Sequence, residues 1–301
     1  MIRRPPRSTL SSSSAASDVY KRQDQDRANA IFSGSVLVYR SMPAMHDLVE
    51  CLREITLREI ALSDPCSAES VLKSTEFRHR AGCAQRFVRE SDDVARLFKK
   101  VLLEAGADVS ALFYDHFKLR FQPSYKASKS RYMRDLPAHR DTWGSNIHEQ
   151  INWWAPVWPV AHDRTIGIFP ALWNTPVPNL SSEWSYRELI KHIKEDNKNC
   201  DYPMLPKCVT PPPLNEAVPV IIEPGDIMAF SGAHLHCSIP NSTGLARIST
   251  ETRTVSAHDL TYSRSAKNVD CGSSISYFDW FHHIETGDSL AHYYSNKSGS
   301  F

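Results

Sequence analysis

The 301-residue sequence has no apolar run approaching 18 residues, no CxxC pair, no internal repeat and a net charge of only +1. The first absence leaves no candidate membrane-spanning helix, which needs about 20 apolar residues in succession. The second, with an odd total of seven scattered cysteines, speaks for reduced thiols in a cytoplasm-like compartment and against a disulfide framework. The near-balance of charge gives no basic surface for a nucleic acid or an anionic membrane. Also missing are G-x-S-x-G, G-x-G-x-x-G and a P-loop, so a serine hydrolase, a dinucleotide site and a phosphate cradle lack their usual signatures. The expectation is a protein of a cytoplasm-like compartment with neither a nucleic-acid nor a membrane partner.

The first 23 residues differ from the rest. "MIRRPPRSTLSSSSAASDVYKRQ" carries five Lys/Arg against one Asp, with a serine run and no signal-peptide core. It resembles translated sequencing-adapter DNA, and residues 1–23 are expected to be non-native or disordered. Without them the balance is 30 Lys/Arg against 33 Asp/Glu, or −3. Residues 24–301 then read as one domain.

Along that domain, "GSVLVYR" (34–40) predicts a strand, and Pro43 opens a helix with Leu48, Leu52, Ile55 and Leu62 on one side. A second helix is expected around 67–88. A third starts at Asp92 as N-cap, runs through Val94, Phe98, Val101 and Leu102, and stops at Gly106. From 112 onward short β-rich runs alternate with turn signals: "FKLRFQ", "QINWWAPVW", "TIGIFP", "VPVII", "DIMAFS", "HLHCSI" and "ARISTETRTV". The expectation is an α+β fold, mainly β, with flanking N-terminal helices. An excursion over about 171–217 interrupts the β pattern with a helix capped by Ser181 or Ser182, and reads as a lid. The aromatic tail after 257 is expected to pack back as a short helix.

The chemistry starts at "PAHRDTWGSN" (137–146). A His-x-Asp pair occurs by chance about once in a chain of this make-up, so His139 and Asp141 mean little alone. On a strand, however, residues two apart share a face. Ninety-seven residues later "EPGDIMAFSGAHLHCSIPNSTGLARISTETR" supplies His236. Two histidines and one carboxylate on a face, with open positions opposite, is the donor set of non-haem Fe(II) oxygenases.

Residues 112–256 resemble the phytanoyl-CoA dioxygenase family of Fe(II)/2-oxoglutarate-dependent oxygenases. The resemblance rests on His139-x-Asp141, the Pro-Gly-Asp turn before His236, Ser238 two residues on, Asn241-Ser242, and Arg247 eleven past the histidine. One stretch departs from it: "PALWN" stands where the family has Pro-Gly-Ser-His. The resemblance implies a double-stranded β-helix (jelly-roll, cupin-like) core. It implies Fe(II) on His139, Asp141 and His236, and 2-oxoglutarate with its far carboxylate on Arg247 and Ser238. It implies O2 as oxidant, with hydroxylation of an unactivated C–H bond and release of succinate and CO2.

Other residues have plainer readings. Gln122 and Asn152 lie on strands expected to line the barrel, as cosubstrate contacts or structural hydrogen bonders. His234 is the alternative last ligand, as in a His-x-His cupin site, although no Glu follows at suitable spacing. Of Trp143, Trp153, Trp154 and Trp158, most are core and one or two form a pocket wall. His282 and His283 read as packing residues, and Cys237 as a small buried thiol. The turn "NSTG" predicts an antiparallel hairpin that sets Ser238 opposite Arg247, with Arg253 about 13 Å beyond His236 at roughly 3.3 Å per residue. The rival readings are a non-catalytic jelly-roll module whose tryptophans stack a sugar, and a cupin-type metalloenzyme that does not use 2-oxoglutarate.

Overall fold

The computed structural model describes residues 13–124, 133, 135–194 and 202–298. Residues 1–12 of the expected non-native segment lie outside the described residues. The boundary at 23/24 falls inside a helix, α1 (Ser13–Phe32), whose Asp24, Arg27, Ala28 and Ile31 are buried.

The predicted strand is β1 (Leu37–Tyr39), and the predicted helix is α2 (Pro43–Ile60), with Pro43 in its first turn. Leu48, Leu52 and Ile55 are buried along it. Ala61, at φ 54°, ends the helix before Leu62. The second helix is divided into a single turn, α3 (Ala68–Val71), and α4 (Ser74–Glu90). The third, α5 (Asp92–Glu104), is capped by Ser91 and not by Asp92: the Ser91 hydroxyl accepts from the Val94 N–H at 3.3 Å. Gly106, at φ +80°, supplies the left-handed stop that the sequence called for. Helix α2 packs against α4 and α5, and α4 lies on the sheet, where Phe77 meets Phe121 edge-on.

The strands form two antiparallel sheets. The larger takes β1, β2 (Leu112–Tyr114), β3 (Lys118–Gln122), β4 (Gln150–Pro156), β7 (Ile227–Ser231), β9 (Arg247–Ser256) and β10 (His282–His283), in the order β1-β7-β4-β9-β2-β10 with β3 also on β9. The smaller is β6 (Val218–Pro219), β5 (Ile166–Ile168) and β8 (His236–Ser238). Helices hold more residues than strands, so "mainly β" describes the stretch from 112 to 256 and not the whole chain. Among the described residues no helix is long and apolar enough to cross a membrane.

Three local expectations need correction. The NSTG turn forms, with Asn241 accepting from the Thr243 N–H at 3.1 Å and Gly244 at φ +75°. It makes a crossover and not a hairpin, because β8 pairs with β5 while β9 pairs with β4 and β3. Asp141 is not on a strand: it opens a short helix, α6 (Asp141–Ser145), while His139 bridges to His236. The helix of the excursion is α7 (Tyr186–Lys194), and it starts later than expected because Ser185 accepts from the Glu188 N–H at 3.4 Å. The tail returns through a short helix, α8 (Ala257–Thr261), a 3-10 turn at Phe278–Trp280 and β10, and it does close on a short helix, α9 (Leu290–Ser298), whose Leu290 is buried.

Candidate metal centre and its cavity

His139, Asp141 and His236 each offer one ligand atom, and these atoms lie within 4.8 Å of one another in the protein interior. Each histidine Nε2 is 3.8 Å from an Asp141 oxygen, a gap too wide for direct hydrogen bonds. The other ring nitrogens are committed. His139 Nδ1 faces the Pro137 carbonyl at 2.8 Å and His236 Nδ1 faces the His234 carbonyl at 3.0 Å. A carbonyl accepts only, so both Nδ1 atoms carry the proton and both Nε2 lone pairs point at the gap. Burial, then the neighbouring His236, push the His139 imidazolium down to about 4, so the ring is neutral and ready to ligate at neutral pH.

Asp141 is held at both oxygens. Asn152 donates its amide N–H to Oδ2, and the Arg253 guanidinium lies 3.1 Å from Oδ1. Burial alone would raise this carboxyl, but Arg253, His236, His139 and the Asn152 hydrogen bond keep it well below the usual range. Asn152 is oriented in turn by Gln150, which donates to its side-chain oxygen at 2.9 Å. At Gly232 a Cβ would come within 2.7 Å of that Gln150 amide, so any side chain there would have to displace the Gln150 group that orients Asn152.

A narrow cavity of about 40 Å³ between the sheets runs from these groups to Arg247 and Ser238, past Trp154 and Phe230. Arg247 is buried and donates to the Thr165 carbonyl at 2.7 Å and to Gln122 Oε1 at 3.1 Å. Its Nε–H has no partner, and among the described residues no carboxylate pairs with it within 4 Å. Burial, then Arg120, lower this guanidinium to about 10. Ser238 donates to the same Gln122 oxygen at 3.3 Å, and Gln122 donates to Asp135. The expected proximity of Ser238 and Arg247 is present, although not through the expected hairpin. Ser238 and Arg247 meet across two sheets, with Gln122 between them.

The remaining assignments separate cleanly. Asn152 belongs to the metal end and not beside Arg247. Arg253, expected to be remote, touches Asp141. The signal for it was present in "RISTETR": Arg247, Ser249, Glu251 and Arg253 share one face of β9, and that face lines the cavity. Glu251 pairs with Arg120 at 2.9 Å inside it. His234 is buried with its ring nitrogens 3.3 and 3.1 Å from the Ser231 and Gly34 carbonyls and Trp173 of "PALWN" 4.3 Å away, outside the triad. Trp153 and Trp154 line the cavity, whereas the Trp143 indole donates to Asp270 at 2.7 Å and Trp158 carries Arg53 on its ring. Burial pushes the Cys237 thiol up to about 11, and His283 packs edge-on against Phe113. Arg140, between the two clustered ligands, escaped notice in the sequence. It is buried and donates to Asp270 at 3.0 Å, to the Leu172 and Thr175 carbonyls at 2.8 and 3.0 Å, and to the Ala233 carbonyl.

No family model and no curated protein sequence matches the chain. Solved structures similar to it include the nickel complex of the non-heme monooxygenase ThoJ, at 14% identity over 90% of this chain and 94% of that one, with a TM-score of 0.43. The epimerase SnoN in complex with Fe3+, alpha ketoglutarate and nogalamycin RO is 14% identical over 77% of this chain and 83% of that one, at 0.42. EctD from S. alaskensis with 2-oxoglutarate and 5-hydroxyectoine is 15% identical over 77% and 76%, at 0.40. At these values no residue role transfers, and the chemistry rests on this chain's own groups.

Proposed function

We propose that the protein is an Fe(II)- and 2-oxoglutarate-dependent dioxygenase of the phytanoyl-CoA dioxygenase type, which hydroxylates an unactivated C–H bond of a small-molecule metabolite. One observation carries the reading: a buried His139–Asp141–His236 donor set opens onto a cavity whose far end holds a buried arginine with no carboxylate within 4 Å among the described residues. An unpaired buried charge costs several kcal/mol, and a dicarboxylate chelated at the metal would compensate Arg247 at its other end. The donor set fits Fe(II) in type and number.

With Fe(II) and 2-oxoglutarate bound, the site supplies oxygen activation coupled to decarboxylation, giving succinate, CO2 and an oxidised substrate carbon. The residues do the rest. His139 and His236 present their Nε2 atoms to the metal position, and Asn152 and Arg253 fix which Asp141 lone pair is free. Arg247, with Ser238 and Gln122 beside it, receives the far carboxylate. Trp154, Ile166 and Phe230 keep the channel dry. The same reading makes residues 24–301 one cytoplasmic oxygenase domain with a double-stranded β-helix core over about 112–256. It also makes the 171–217 excursion a lid, which contributes Trp184, Leu189 and Met204 to the chamber outside Asp141.

The test is succinate release in a metabolite screen. Turnover should require both Fe(II) and 2-oxoglutarate and stop with a chelator. Asp141→Gly should suppress hydroxylation, and the wild type should give no chlorinated product in chloride buffer, since related halogenases leave that carboxylate position open. Turnover that ignores 2-oxoglutarate would favour a cupin-type metalloenzyme.

A further inference from the structure

Outside the inner cavity two larger chambers meet at Arg253. One, of about 400 Å³, reaches Asp141 and is walled by Trp184, Tyr186, Leu189 and Trp280. The other, of about 430 Å³, carries Arg89, Lys118, Arg120 and Arg253 against one carboxylate among the described residues, that of Glu251. They share His116, Lys118, Met204, Leu205 and Arg253, so they adjoin along one wall.

The two linings differ in kind. In the first, Tyr277 stacks behind Trp280 at 4.9 Å, and Tyr186 meets Trp280 edge-on at 4.8 Å. Rings braced in this way make a rigid wall suited to a flat apolar body. In the second the local field is positive. Desolvation first, then Lys118, with Arg89 and Arg253 in the same sense, push the His116 imidazolium down, and Asp115 opposes them. Most of these cations have partners: Arg120 is held by Glu251 at 2.9 Å, Arg253 by Asp141 at 3.1 Å, and Lys118 by Asp115. Among the described residues Arg89 has only a loose contact with Glu90 at 3.9 Å, and it stands exposed. It is the cation least committed elsewhere.

We infer that the substrate, on the oxygenase reading given above, is an organic carboxylate with a flat, mostly apolar body. Its carboxylate lies in the basic chamber near Arg89 and Lys118, its ring system lies in the aromatic chamber, and the span between them passes Arg253 beside the metal face of Asp141. The oxidised carbon is then one close to the carboxylate and not at the far end of the ring system.

Calorimetric titration of the full-length protein with 2-naphthoate and with uncharged 2-naphthalenemethanol tests this without turnover. The carboxylate probe should bind at least tenfold more tightly. Arg89→Gln should cut that preference at least threefold, while Trp184→Ala or the less buried Tyr186→Ala weakens both probes by a similar factor. Equal affinities in the wild type would overturn the inference. So would loss of 2-naphthoate binding on saturation with 2-oxoglutarate, which would put the probe carboxylate at Arg247. If the probe preference holds but no substrate yields succinate, the oxygenase reading fails and the ligand class stands. If succinate forms and the probes bind equally, the ligand class alone fails.

Discussion

Around Asp141, two imidazoles are fixed by backbone carbonyls and the carboxylate is gripped by Asn152 and Arg253. Around Arg247, a buried guanidinium keeps one N–H unpaired and has no counter-ion among the described residues. The metal end is preorganised and the anchor end is undercompensated. The difference shows which component each end waits for: a cation that changes few existing contacts at one, an anion that relieves a standing cost at the other.

The largest effect expected at the metal end follows from removing a ligand. His139→Ala and His236→Ala should each lower divalent-metal affinity by about a thousandfold, read by metal analysis after dialysis, whereas His234→Ala should retain the metal. The opposite pattern for the last two would move the final ligand to His234. Next in size is Asn152→Ala, which leaves the ligands intact but frees the carboxylate. Metal affinity should fall by about 10- to 100-fold, and an unchanged affinity would mean that the preorganisation counts for little.

The comparison sharpens most in a matched pair of arginine variants. Arg247→Lys should raise the apparent 2-oxoglutarate KM at least tenfold with metal binding intact, because Lys cannot reproduce the guanidinium fork. Arg253→Lys should do the reverse, weakening the metal a few-fold and leaving the cosubstrate KM nearly unchanged. If only Arg253→Lys loses cosubstrate affinity, the two ends have been exchanged. The smallest effect belongs to neither end. Removal of residues 1–23 should leave activity and Tm almost unaltered, since their sequence carries too little apolar surface to pack. A large drop in Tm would show that the segment belongs to the fold.

Much of this was legible before any coordinates. Helix boundaries came from Pro43 and Gly106, and the sequence singled out His139, Asp141 and His236, which the fold gathers into one cluster. Legibility ended where partner choice is not local. NSTG specifies a turn, but nothing in four residues says that β8 and β9 leave it for different sheets, so the rise per residue misplaced Arg253. Asp141 likewise reads as a strand residue until the Trp143 N–H is seen donating to the Arg140 carbonyl at 3.1 Å and closing a helical turn. The inward row on β9 was readable from its period of two. That a glutamate sits in the row unpenalised depends on Arg120, which lies 131 positions away in sequence.

Arg140 has a consequence for the order in which the molecule becomes rigid. Its guanidinium binds groups at positions 172, 175, 233 and 270, the last of them 130 residues downstream. Contacts so distant in sequence form late, because the intervening chain must lose its freedom first. The loop between the first two ligands is therefore closed by its most distant partners. A nascent chain that has already laid down α2, α4 and α5 still lacks the Arg140–Asp270 pair that holds the segment between His139 and Asp141.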